Sequence, residues 1–136
     1  MLTTTEVADC FTVFKELRPH LQDSAEFVTR VSKQMAEGYQ IAAGFVNDQI
    51  VACIGYRTLN TLAWGQILYI DDLITSQSGR NRGCGRKLLD YAIDYAKQIK
   101  CDQIHLDTGF TRHDAHKLYL NMGFQLSCHH MALNLI

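Results

Sequence analysis

Leu88, Leu89, Ala92, Ile93, Ala96 and Ile99 recur with a 3.6-residue period, the longest one-sided apolar stripe in the chain. A polar, glycine-containing stretch at residues 76–82 precedes this helix. Before that stretch stands a run rich in Ile, Leu and Tyr, residues 65–75, which reads as a strand. A helix with one apolar face has to lay it on another element, because isolated helices are marginal in water. Strand, short loop and one-sided helix in succession therefore demand a fold in which helices cover a sheet.

The rest of the chain reads in the same terms. Val7, Cys10, Phe11, Phe14 and Leu17 share one face of a helix over residues 6–17. Thr3 and Glu6 have capping-box spacing at its start, and Pro19 ends it. Asp23 and Glu26 repeat that spacing before a second helix, 24–37. There Phe27, Val31 and Met35 recur every four residues, and Gly38 suits a left-handed C-cap. Strands at 40–46 and 49–58, joined by Asn47-Asp48, make an antiparallel hairpin, and 59–64 is a loop or hairpin tip. After the long helix come a short strand at 103–107 and a helix at 111–122, capped by Thr111 and ended by Gly123. Two last strands are expected at 124–126 and 131–135. This order predicts an α/β (α+β) fold, a mixed central sheet flanked by about four helices, in one domain spanning residues 1–136.

Composition excludes several classes. The chain has 136 residues, the length of one domain, and 47% hydrophobic with 20% charged residues argues against disorder. Thirteen Lys and Arg against 14 Asp and Glu leave a net charge of −1, so no broad basic field invites nucleic acid. No apolar run approaches the roughly 18 residues of a membrane span. Residues 1–6 show neither the basic flank nor the apolar core of a signal peptide, so the chain reads as cytoplasmic. Cys10, Cys53, Cys84, Cys101 and Cys128 are odd in number and show no C-x-x-C pair, which fits reduced thiols.

The chemistry concentrates in Arg80-Asn81-Arg82-Gly83-Cys84-Gly85-Arg86-Lys87. The glycines let backbone approach a ligand closely. The first N–H groups of the following helix lack intrahelical partners, and the helix dipole adds positive potential, so the turn suits a phosphate. Four cations within eight residues point to a pyrophosphate. Neither G-x-x-x-x-G-K-[ST] nor G-x-G-x-x-G is present.

Two motifs here resemble the GNAT superfamily of N-acetyltransferases. The signature [R/Q]-x-x-G-x-[G/A] opening a helix reads Arg80-x-x-Gly83-x-Gly85. A second pattern, A-x-x-L-Y-x-x-x-G-F, reads Ala115-His116-Lys117-Leu118-Tyr119-Leu120-Asn121-Met122-Gly123-Phe124. Their separation and the strand between them also match. Tyr69-Ile70-Asp71-Asp72-Leu73-Ile74-Thr75 is similar to the family's acidic, bulged strand, with Asp71 where Glu is usual. Other departures are Arg112 in place of an Asn and little room for a strand before the first helix.

The resemblance implies acetyl-coenzyme A as co-substrate; no metal is expected, because no cysteine lies at ligand spacing and no full ligand set is visible. Its pyrophosphate would rest on the N–H groups of Arg82, Gly83, Cys84, Gly85, Arg86 and Lys87, with Arg80 and Asn81 alongside. Its pantetheine arm would pair with the backbone of Leu73, Ile74 and Thr75. The implied reaction moves an acetyl group to a primary amine of a small molecule or peptide by direct attack in a ternary complex. A bulged N–H near Leu73 would serve the oxyanion and Tyr119 would protonate the departing thiolate. Asp71 or Asp72 would act as base through water or bind a cationic amine.

Other residues weigh less. His113 and His116 have H-x-x-H spacing and are alternative bases. His105 with Asp107, and His129-His130, fall short of a metal-ligand set. Cys84 has no His or Asn partner in view, and Tyr56 and Trp64 read as sheet packing. Two rival functions stay open, a non-catalytic coenzyme A-binding sensor or interaction module and a different nucleotide-binding domain. The acceptor amine and the oligomeric state, monomer or homodimer, are not legible.

Overall fold

The computed structural model of the chain describes residues 4–77, 83–108 and 113–136. Helix α1 (Thr4–Val7) runs through a 3-10 turn, Ala8–Cys10, into α2 (Phe11–Leu17). The single helix expected over residues 6–17 is thus interrupted by one tighter turn, yet Val7, Cys10 and Phe14 still bury their side chains. The expected cap by Thr3 lies outside the described residues. Pro19 ends α2 as anticipated: Arg18, the residue before it, leaves the helical region at φ −118°, ψ 73°.

Helix α3 (Ser24–Ala36) starts where Asp23 accepts the N–H of Glu26 at 2.7 Å. It ends at Gly38, φ +105°, where the N–H of Tyr39 donates to the Gln34 carbonyl at 3.0 Å. Strands β1 (Gln40–Val46) and β2 (Gln49–Thr61) follow. Asn47 and Asp48 both take positive φ, 51° and 64°, as a two-residue turn matched to strand twist requires. Strand β2 continues to Thr61, so the loop expected at 59–64 shrinks to a three-residue turn before β3 (Gly65–Thr75).

Helix α4 (Cys84–Gln98), strand β4 (Gln103–Leu106) and helix α5 (His113–Asn121) complete the elements. The expected cap of α5 by Thr111 falls outside the described residues. The two strands expected at 124–126 and 131–135 are absent: these residues are irregular, and Leu126, Met131, Leu133 and Leu135 are exposed. Alternating apolar residues become a strand only when a neighbour supplies ladder bonds and packing, and here no described strand does so. No helix among the described residues is long and apolar enough to cross a membrane.

The sheet order is β1-β2-β3-β4, antiparallel for the first two pairings and parallel for β3 with β4. The fold is therefore α/β with a mixed sheet, and α4 forms the crossover between the parallel strands. One sheet face carries a core in which Val7, Phe14, Phe27 and Val31 meet Ile41, Cys53 and Ile74. The other face receives Leu88, Leu89, Ala92 and Ala96 of α4. Tyr56 packs there against Tyr95 at 5.6 Å between ring centroids, in keeping with a packing role. The chain divides into two compact units, Met1–Leu106 with the sheet and Asp107–Ile136 with α5.

Candidate active site

The site grows from one irregularity in the β2–β3 ladder. Leu73 faces Ile54 and Asp72 faces Gly55, but Ile70, not Asp71, faces Tyr56. Asp71 is the extra residue of a β-bulge. On a regular strand Asp71 and Asp72 would point to opposite faces. The inserted residue lets both side chains turn to the face covered by α2 and α3, where both line one cavity of about 440 Å³. That volume lies in the usual range of small-molecule sites, roughly 300–1,000 Å³.

The cavity floor is apolar: Phe14, Leu21, Phe27 and Val31. Its walls add Arg18, His20, Arg30 and Gln34 from α2, the following turn and α3, with Tyr39 and Tyr69 from the sheet side. Neither aspartate stands alone. Asp72 accepts Nε and Nη2 of Arg18 on Oδ1, at 3.2 and 2.8 Å, and the Tyr39 hydroxyl on Oδ2 at 2.7 Å. Asp71 is clamped by Arg57, Nε to Oδ1 at 3.0 Å and Nη2 to Oδ2 at 2.8 Å. The Arg57 guanidinium also lies 5.3 Å from the centre of the Tyr39 ring.

These contacts set the protonation behaviour. Burial raises the Asp71 carboxyl above its ordinary value, and the Arg57 hydrogen bonds and charge pull the other way without cancelling it. In return the Asp71 hydrogen bond raises Arg57, which stays a cation. Burial, then the Asp72 charge, pushes the Tyr39 phenol far up, so Tyr39 remains a donor to Asp72. The arrangement is a chain of charge-assisted contacts, Arg57–Asp71 and Tyr39–Asp72–Arg18, along one cavity wall.

Gly55 makes room for it. A Cβ there would run into the Tyr39 hydroxyl and ring. Gly55→Val is therefore expected to push Tyr39 off Asp72 and to lower unfolding stability by about 1–3 kcal/mol, the usual cost of overpacking. Denaturant titration checks this; unchanged stability would mean that the ring is not wedged over the strand.

The other residues singled out in the sequence fall as follows. Leu73 and Ile74 are buried and Thr75 half-buried on the last part of β3. Gly83, φ +71°, caps α4, and Cys84, Gly85, Arg86 and Lys87 form its first turn. Arg80, Asn81 and Arg82 lie outside the described residues. Tyr119 belongs to the second unit, buried on α5 with its ring 5.9 Å from that of Phe124. His105 stacks on Trp64 at 4.2 Å, and Asp107 pairs with His130 at 3.4 Å. The side chain of His113 is outside the described residues, and His116 is half-buried. Arg18, Tyr39, Gly55 and Arg57 were not foreseen. Their partners lie 14 to 54 positions away in sequence, so only Pro19 gave a hint, by forcing Arg18 out of the helix.

A left-handed glycine opening a helix and a strand bulged at an acidic pair agree with the resemblance drawn from the motifs, and comparison with known proteins extends it over most of the chain. The acetyltransferase (GNAT) family model matches residues 5–124. An uncharacterised N-acetyltransferase of Bacillus subtilis (strain 168), YhdJ, is 33% identical over 123 residues, 89% of this chain and 86% of that protein. A transcriptional regulator from Bacillus halodurans C-125 shares the fold with a TM-score of 0.87 at 20% identity, covering 98% of this chain and 96% of that one. A ribosomal-protein-alanine N-acetyltransferase from Brucella melitensis biovar Abortus 2308 does so with 0.85 at 12% identity, over 98% and 96%. The chain belongs to the GNAT family of acetyltransferases.

Proposed function

We propose that this chain transfers the acetyl group of acetyl-coenzyme A to a primary amine by direct attack in a ternary complex. The observation that carries this reading is the end of the β3–β4 ladder. Pairing runs from Ile67 with Gln103 to Ile70 with Leu106 and stops there among the described residues. From Asp72 to Thr75, β3 is paired with β2, and among the described residues no strand pairs with its other side. Its other side offers N–H and C=O groups that an amide-bearing pantetheine arm can pair with like an added strand.

The start of α4 supports the other half of the donor. Among the described residues no side chain caps it, and the Lys87 N–H donates to the Gly83 carbonyl at 3.1 Å. Among the described residues none accepts the N–H groups of Cys84, Gly85 and Arg86, which can serve an anion. Among the described residues a Cβ on Gly83 would meet nothing within 4 Å, which is space a phosphate oxygen can use. Arg86 and Lys87 are exposed beside it, and Arg80, Asn81 and Arg82 are proposed to join them.

The chemistry follows from the groups available. Asp72 holds the incoming amine in the cavity, and Asp71, its carboxyl raised by burial, takes a proton from the ammonium through water. The neutral amine attacks the thioester carbonyl, forming the C–N bond. The backbone N–H of Leu73 stabilises the oxyanion. As the C–S bond breaks, Tyr119 protonates the departing thiolate, and the nitrogen, cationic since its attack, returns a proton through water to the Tyr119 phenolate; an acetamide and coenzyme A are left, and the proton on Asp71 passes to solvent. Calorimetry with coenzyme A, ATP and NAD, followed by thiol release from acetyl-coenzyme A with an amine panel, tests the reading. Preference for coenzyme A and turnover with at least one amine are expected; tighter binding of ATP or NAD would overturn it.

A further inference from the structure

The acceptor cavity is not acidic despite its two aspartates. Arg18 and Arg30 line it together with Asp71 and Asp72, two cations against two anions. Arg57 neutralises Asp71 from behind, and Arg18 lies directly on Asp72. The Arg18 side chain is 44% exposed and that of Asp72 12% exposed, so the arginine covers the carboxylate from the solvent side. An amine that takes Asp72 Oδ1 displaces Arg18 from it.

Charge decides which amines can do so. A plain monoamine that takes Asp72 leaves Arg18 without its partner and adds a second cation next to it. Two like charges then share a partly desolvated wall, and each raises the cost of the other. A molecule that carries a carboxylate beside its amine avoids this. Its ammonium takes Asp72, its carboxylate takes the released Arg18, and one ion pair becomes two. Arginine suits the second task, since its fork binds a carboxylate through two parallel N–H bonds. Arg30, His20 and Gln34 on the same wall add further donors for a carboxylate. Arg30 is only loosely held, with Nε 3.4 Å from Glu26 and a side chain 57% exposed. The floor of Phe14, Leu21, Phe27 and Val31 fits an apolar side chain.

We propose that the acceptor is a zwitterion of the α-amino-acid type with an apolar side chain, selected by exchange of partners at the Arg18–Asp72 ion pair. This rests on the acetyl-transfer reading for its chemistry, but the selection itself is a binding property and is testable without turnover. Calorimetry on the full chain would compare matched pairs: leucine with 3-methylbutylamine, phenylalanine with 2-phenylethylamine, methionine with 3-(methylthio)propylamine. In at least one pair the amino acid is expected to bind about tenfold tighter than its decarboxylated amine, the effect of one charge-assisted pair.

Arg18→Gln uncovers Asp72 and removes the carboxylate's partner. The amino acid is expected to lose about tenfold in affinity while the simple amine holds or gains, so the preference disappears or inverts. Arg18→Lys, which keeps a cation, is expected to retain the preference. A merely structural role for Arg18 would weaken both ligands alike. Equal binding within every pair, no binding in any pair, or equal losses in Arg18→Gln would each overturn the proposal. A coenzyme A titration on the same sample separates the two readings: amino-acid preference without coenzyme A binding would support the acceptor class and sink acetyl transfer alone.

Discussion

Tyr119→Phe is expected to lower kcat by about ten- to a thousandfold, the range that one general acid contributes, while the Kd for coenzyme A stays within about twofold. The ring of Tyr119 is buried and edge-on to Phe124. Phenylalanine keeps that ring contact, so packing around α5 should survive and the change isolates the hydroxyl. A phenol, with an ordinary pKa near ~10, suits a thiolate whose conjugate acid has an ordinary pKa near ~8.5. Without it the thiolate must leave unprotonated or draw on water, and the loss falls on the chemical step. Steady-state kinetics with a saturating amine, paired with calorimetry for the cofactor, checks both halves. An unchanged kcat would remove Tyr119 from the mechanism. A rise in Kd that matches the fall in kcat would give it a binding role instead.

Gly83→Val is expected to raise the Kd for coenzyme A by about ten- to a hundredfold, the effect of losing one hydrogen bond to a charged phosphate, roughly 1.5–3 kcal/mol. Two effects combine. The φ of +71° at Gly83 is strained for a β-branched residue. The side chain would also stand in the open space beyond the Cβ position, where the reading places a phosphate oxygen. Gly83→Asn separates them, because asparagine tolerates left-handed backbone yet still fills that space. If crowding dominates, both variants lose affinity; if strain dominates, only valine does. Retained affinity in both would move the pyrophosphate away from α4.

Much of this architecture was legible residue by residue. The start of α3 at Asp23, the turn at Asn47-Asp48 and the end of α3 at Gly38 depend on hydrogen bonds and φ angles within a few positions. The apolar stripe of α4 announced its buried face for the same reason. Where neighbours were decisive, reading failed. The alternation of Met131, Leu133 and Leu135 suggested a strand, but these residues are exposed and irregular, since a strand exists only with a partner. The 3-10 turn at Ala8–Cys10 broke a helix whose apolar face was nonetheless read correctly.

The amino-acid order alone determined that an acidic pair would stand on a strand ahead of a glycine-led helix, because those features are local; a bulge in that strand was implied only by the family resemblance. It could not say what the acids would hold. Arg57 reaches Asp71 across 14 positions, Tyr39 reaches Asp72 across 33 and Arg18 across 54. The order by itself suggested that Asp71 and Asp72 would favour a cationic guest; the folded chain presents them already matched by arginines. Such pairing depends on which strand lies beside which and on where a bulge turns two neighbouring side chains to one face. Sheet register and packing decide both, and no local pattern encodes them.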